Sequence, residues 1–127
     1  MYSSSVLGYN IHSPYSMSFD LIAHTRAHID PTYYARGSSY YQNGMVTIDD
    51  IDFVSDTMTT LYGEVQGTRL YETAIGIMYH AKTELHIEYQ CDCPAYHDHL
   101  ECKHCAAFAM AVADCYMISD RGVVTER

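Results

Sequence analysis

The stretch Cys91-Asp92-Cys93-Pro94-Ala95-Tyr96-His97-Asp98-His99-Leu100-Glu101-Cys102-Lys103-His104-Cys105 decides how the rest of this chain is read. Between Cys91 and His104, three thiols and an imidazole fall into two close pairs, Cys91/Cys93 and Cys102/His104, joined by eight residues. Zinc takes four N or S ligands in a tetrahedron, and two clamped pairs at the ends of a short loop supply that set from one piece of backbone. Just upstream, Leu85, Ile87, Tyr89 and Cys91 alternate with polar residues, the cleanest period-two pattern in the chain, and predict a strand. In an extended chain residues two apart share a face, so Cys91 and Cys93 can turn to one ion before Pro94 ends the ladder pairing. Just downstream, the Ala-rich run Ala106–Met117 carries Phe108, Val112 and Cys115 at helical spacing and predicts a helix with Cys115 in its core face. Cys102 then stands ahead of that helix and His104 in its first turn, where free backbone N–H groups favour a thiolate.

Cys105 is a rival ligand, because Cys102 and Cys105 form C-x-x-C and with Cys91 and Cys93 would make a four-cysteine site. Its place on the helix also suits a core residue. His97 and His99 read as solvated loop histidines; the sharper alternatives are a weak second metal site or a charge change near about pH 6.

Farther upstream, Asp30-Pro31 reads as an N-cap followed by proline at the first helical position. The helix it opens runs past Tyr33, Tyr34, Arg36 and Tyr40 and stops at Asn43-Gly44, a left-handed C-terminal signal. Gly37 inside it costs on the order of 1 kcal/mol relative to Ala. Tyr33, Tyr34, Tyr40 and Tyr41 are spaced as a core-facing stripe more than as a base-stacking platform. Strand-like stretches follow over Met45–Val54, Thr57–Gln66, Arg69–Met78 and Leu85–Cys91. The apolar parity changes across Asp49-Asp50, which predicts a bulge or short loop, and Asp49, Asp50 and Asp52 read as a charged loop or solvated face rather than a hard-cation site. Short connections favour an antiparallel meander. Residues 1–18 read as a poorly ordered lead-in, Phe19–His28 as either strand or short helix, and 119–127 as a polar tail. Hence the expected division: 1–29 lead-in, 30–118 zinc-binding domain, 119–127 tail.

The chain has 127 residues, 48% of them apolar and thirteen of them Tyr, the composition of one small globular domain. A core of this size is modest, so a structural metal would add useful stability. No apolar run approaches the ~20 residues of a membrane span, and the first residues lack a basic n-region and a long apolar stretch, so no secretory signal is expected. Four of five cysteines cluster between Cys91 and Cys105 beside histidines, the pattern of metal binding in a reducing compartment rather than of a disulfide framework. The expected location is cytoplasmic, or nuclear in a eukaryote. The net charge is −9, and the seven Lys and Arg are scattered. Gripping nucleic acid needs clustered cations, so the balance argues against DNA binding by this domain alone. Lys103, inside the ligand pair, is the best candidate for a phosphate or acidic-partner contact, though an ordinary solvated side chain is the simpler reading.

The pattern C-x-C-x8-C-x-H, here CDCPAYHDHLECKH before an Ala-rich helix, resembles a SWIM zinc finger. Upstream, Ala35-Arg36-Gly37 with Tyr40-Tyr41 and Gly44-Met-Val46 resembles the helix-to-strand entry found before such motifs, and Val65-Gln66-Gly67 followed by Tyr71 resembles the middle strands of the unit. The likeness spans about residues 30–116. It implies Cys91, Cys93, Cys102 and His104 as the zinc ligands, and favours His104 over Cys105. SWIM modules occur in SWI/SNF-type ATPases of bacteria and archaea, transposases, plant transcription factors and recombination-associated proteins, where they are thought to bind DNA or proteins. No ATPase or transposase domain is present in these residues, so the work of such a partner domain is not carried over.

Two enzyme readings compete. A zinc deaminase wants H-x-E followed by P-C-x-x-C; His86-Ile87-Glu88 and Cys102/Cys105 match in part, but no Pro precedes Cys102 and Cys91 and Cys93 are left unexplained. Thiol redox catalysis needs a partly exposed, low-pKa thiolate, which metal binding would quench. Four protein ligands leave no open position for water, which marks a structural zinc. The expectation is therefore a non-enzymatic, zinc-stabilised α+β interaction module: an N-terminal helix, an antiparallel sheet of about four strands, a zinc knuckle at the sheet end, and a C-terminal helix packed on the sheet. Its expected partner is a protein, with DNA contact only inside a larger assembly.

Overall fold

The computed structural model describes residues 2–3, 7–8, 18–80, 85–99 and 102–127. Two short strands, β1 (Tyr2–Ser3) and β2 (Leu7–Gly8), pair in parallel near the start; of the 1–18 lead-in, position 18 is also described and the others lie outside the described residues. The segment whose sequence left strand and helix open is a helix, α1 (Leu21–His28), whose N-cap Asp20 accepts from Ala23 N at 2.9 Å. It ends at Ile29 because Asp30 precedes Pro31, and a residue before proline is pushed out of the helical region. Asp30 then caps α2 (Pro31–Gln42), accepting from Thr32 N at 2.8 Å. Asn43 and Gly44 close α2, with Gly44 at φ 73°, as the sequence predicts.

The four strand-like stretches form one sheet: β3 (Val46–Ser55), β4 (Met58–Gln66), β5 (Leu70–Met78) and β6 (His86–Cys91), in that spatial order and all antiparallel. The register of β3 against β4 slips between Ile48 and Asp50, where the sequence changes parity. The slip keeps Val46, Ile48 and Ile51 against the core on both sides of the bulge.

The stretch after Cys93 is not a plain loop but a six-residue helix, α3 (Pro94–His99), with Pro at its first position. Next comes α4 (Lys103–Cys115), beginning three residues earlier and ending two earlier than Ala106–Met117. Every residue from His104 to Val112 is buried, because α4 packs against all four strands of the sheet and against α1 and α2. Phe108 and Val112 join Leu61, Val65, Ile75, Ile77 and Ile87 in one cluster. Cys105, Ala106 and Met110 join Ile29, Tyr71 and the other clustered cysteines in a second. A helix covered on several sides needs small residues for close approach, which accounts for its alanines and for Gly37. A Cβ at Gly37 would lie 2.6 Å from Lys103 O and 2.7 Å from Ala106 Cβ.

Cys115 departs from the core position expected of it and is exposed, because α4 has by then run past the sheet. The polar tail is also partly built into the fold. β7 (Tyr116–Ile118) and β8 (Val124–Glu126) form a hairpin, and Ile118 O accepts from Phe19 N at 2.7 Å. Val124, Leu21 and Ile118 all belong to the main cluster. No described helix is long and apolar enough to cross a membrane.

Candidate metal centre

Cys91 ends β6, where pairing with Thr73 of β5 fixes its direction. Cys93 follows two residues later, and its carbonyl accepts from His97 N as α3 begins. Cys102 is the N-cap of α4 in extended conformation, and its side chain makes no capping bond. His104 lies in the first turn of α4. The ligand-type atoms of these four residues lie within 4.8 Å of one another, and all four residues are buried. His104 Nδ1 is 3.7 Å from Cys91 Sγ. A tetrahedral ion with metal–sulfur and metal–nitrogen bonds of about 2.3 and 2.0 Å separates its ligand atoms by about 3.5–3.8 Å, so this spacing fits a shared ion. The cluster can hold a metal ion.

The thiols support that reading electrostatically. Cys105 and Cys91 hydrogen-bond to the Cys102 thiolate and pull its pKa well down, against the opposing effect of burial. The same bond raises Cys91, with burial adding to it, and burial raises Cys93. A divalent cation is what compensates the charge of all three in a site this dry.

Beyond the contact of its Nδ1 with Cys91 Sγ, His104 is oriented by rings. Tyr71 stacks on it at 4.5 Å and 28°, and Tyr40 meets it edge-on at 5.4 Å. Its Nε2 is buried and has no hydrogen-bond partner among the described residues. That nitrogen faces the β4–β5 turn, where a Cβ at Gly67 would come within 3.1 Å of it. A metal on Nδ1 would leave the proton on Nε2, and around that nitrogen aromatic packing stands where a ligand histidine usually has a carbonyl or carboxylate. Each flanking ring also carries a cation, Arg69 over Tyr71 at 4.5 Å and Lys103 over Tyr40 at 5.5 Å. These two tyrosines escape sequence reasoning as site residues; the turn Gln66-Gly67 five and four residues ahead of Tyr71 is the only local signal for one of them.

Cys105 is buried with its Sγ 3.6 Å from Cys102 Sγ, outside the four-atom group. His97 and His99 are exposed on α3 and do not join it. Asp49, Asp50 and Asp52 are exposed on β3. His86 and Glu88 point outward from β6 as an exposed pair 3.6 Å apart, away from the clustered donors. A cleft of about 680 Å³, lined by Arg69, Tyr71, Tyr96 and His97 among others, opens onto Cys91 and Cys93. No protein-family model matches this chain, and neither a curated protein nor a solved structure shows significant similarity to it.

Proposed function

We propose that this domain is a zinc-stabilised, non-enzymatic interaction module of the SWIM type, in which Cys91, Cys93, Cys102 and His104 hold one structural Zn²⁺. The observation that carries this reading is the convergence of four buried N and S donors, from a strand end and a helix start, on one point. Three thiolates and an imidazole are a soft, tetrahedral set that suits zinc over hard cations, and a closed set of four leaves no position for substrate water. When bound, the ion joins the end of the sheet to the start of α4. The chain's own residues then present fixed surfaces around that joint.

Charge supports a protein partner. One face of the sheet packs on α4, and among the described residues no helix covers the other. Register and alternation place Asp50, Asp52, Glu64, Glu72 and Glu88 on that open face, and no Lys or Arg is among the strand residues sharing it. Glu64 and Glu72 are direct cross-strand neighbours, a repulsive pair that a basic segment would relieve. DNA contact then belongs to a larger assembly.

Elemental analysis of freshly purified protein tests the zinc reading. One equivalent is expected, and a folded protein without zinc would refute it. A lysine-rich peptide should bind with an affinity that falls with salt, whereas duplex or single-stranded DNA should not bind this domain alone at low salt. Tight, steeply salt-dependent DNA binding would reverse that assignment of partner.

A further inference from the structure

Cys105 is the thiol that the proposed coordination leaves over. It is 1% exposed, on the first turn of α4, and its Sγ is 3.6 Å from the sulfur of Cys102. A spare buried cysteine ordinarily serves as a small apolar residue. This one touches a sulfur that the metal site cannot do without. The two residues are three apart at a helix start, which puts their Cα atoms about 5–6 Å apart, inside the range a disulfide spans. Rotation of the side chains is enough to shorten 3.6 Å to a covalent bond, and no capping hydrogen bond fixes the side chain of Cys102 against that rotation. The cleft opens onto Cys91 and Cys93, with Cys102 and Cys105 buried beyond them.

We propose that Cys102 and Cys105 are an oxidation site that controls metal retention: a hydroperoxide converts the pair to a disulfide, and the metal is released because Cys102 is withdrawn from it. The step balances without further reagents. The Cys102 thiolate attacks one peroxide oxygen, the O–O bond breaks, and a sulfenic acid and hydroxide result. The Cys105 thiol attacks the sulfenic sulfur; the S–S bond forms, and the hydroxyl leaves as water with the proton of Cys105. Two electrons pass from the two sulfurs to the peroxide. Cys91, Cys93 and His104 remain as an incomplete set, so oxidation detaches the start of α4 from the end of the sheet.

This inference rests on the metal reading of the same site, and the test separates the two. Zinc-loaded protein is treated with hydrogen peroxide, zinc release is followed with a chromogenic chelator, and disulfides are mapped by peptide mass spectrometry after thiol alkylation. Release of zinc in step with the loss of about two thiols, a Cys102–Cys105 link, and recovery on adding a thiol reductant and zinc are expected. Cys105→Ala and Cys105→Ser should each bind one equivalent of zinc and, under peroxide, leave Cys102 as a sulfenic acid trapped by dimedone instead of as a disulfide. A link confined to Cys91, Cys93 and Cys102 in the unsubstituted protein, or no sulfenic acid at Cys102 in either variant, would overturn the proposal. Should either variant not fold, the mapped link in the unsubstituted protein decides alone. A preparation without zinc that still forms the Cys102–Cys105 link would refute the metal reading and keep the thiol pair; one that forms no such link would refute both.

Discussion

His104 Nδ1 and Cys91 Sγ stand 3.7 Å apart although twelve residues and a change from strand to helix lie between them. Around this contact the chain concentrates three thiols, an imidazole and the start of a helix. Their proximity makes sense as a cross-link, because a bond between β6 and α4 closes a loop whose own helix, α3, is short and has no buried residue.

Removal of the metal should therefore act on α4 first. Dialysis against a strong chelator is expected to lower the thermal midpoint by about 10 °C or more, since a loss of a few kcal/mol moves a domain of this size by roughly 3–6 °C per kcal/mol. Helical circular dichroism should fall with it, and one equivalent of zinc should restore both. A melting curve indifferent to chelator would show that the cluster holds no structural ion.

The ligand set is resolved by three substitutions read as metal stoichiometry. Cys102→Ser and His104→Ala should each lose zinc and unfold the start of α4, because each removes a donor and leaves buried thiols with excess charge. Cys105→Ser should keep one equivalent. Loss of zinc from Cys105→Ser with retention in His104→Ala would establish the four-cysteine alternative.

Much of this arrangement is legible in residue order. Asp30-Pro31 and Asn43-Gly44 mark both ends of α2 through local backbone chemistry, and the parity change at Asp49-Asp50 marks the slip in β3. These signals are local, so they survive folding. What stays hidden depends on distant contacts. The character of α1 is set by Leu21 and Thr25 packing at the edge of α4, and its eight residues are too few to show a period clearly. Cys115 falls at the right helical spacing for the core but beyond the cover of the sheet, a matter of where α4 ends. Val124 is buried in a segment that composition alone labels as tail. Within the site, the ligand spacing is explicit in the sequence, whereas Tyr40 and Tyr71 reach His104 from two other elements and leave no spacing to read.

Gly37 separates propensity from packing. In an exposed helix, Gly→Ala gains about 1 kcal/mol. Here the added methyl would meet Lys103 O at 2.6 Å, Ala106 Cβ at 2.7 Å and Ala107 N at 2.8 Å, two of them backbone atoms of α4 that cannot step aside. Gly37→Ala is expected to destabilise by about 1–3 kcal/mol, measured by denaturant unfolding. A gain in stability would mean that α2 and α4 do not cross at this point.

The tyrosines give the pH dependence at the alkaline end. Burial lifts Tyr89 to about 12 even though its bond with Thr25 works the other way; its hydroxyl sits 2.7 Å from His24 Nδ1 and 3.1 Å from Thr25 Oγ1. Tyr41 is also raised to about 12, first by donating to the Asp114 carboxylate. An unfolded tyrosine ionises near about pH 10, so between that pH and about 12 the folded chain holds more protons than the unfolded one, and stability must fall as pH rises. Below about pH 10 the contribution is complete. Urea unfolding across this window should show the decline, and Tyr89→Phe should flatten it, because phenylalanine keeps the packing and removes the proton. A slope unchanged by Tyr89→Phe and by Tyr41→Phe would place the alkaline transition elsewhere, in the thiols around Cys102.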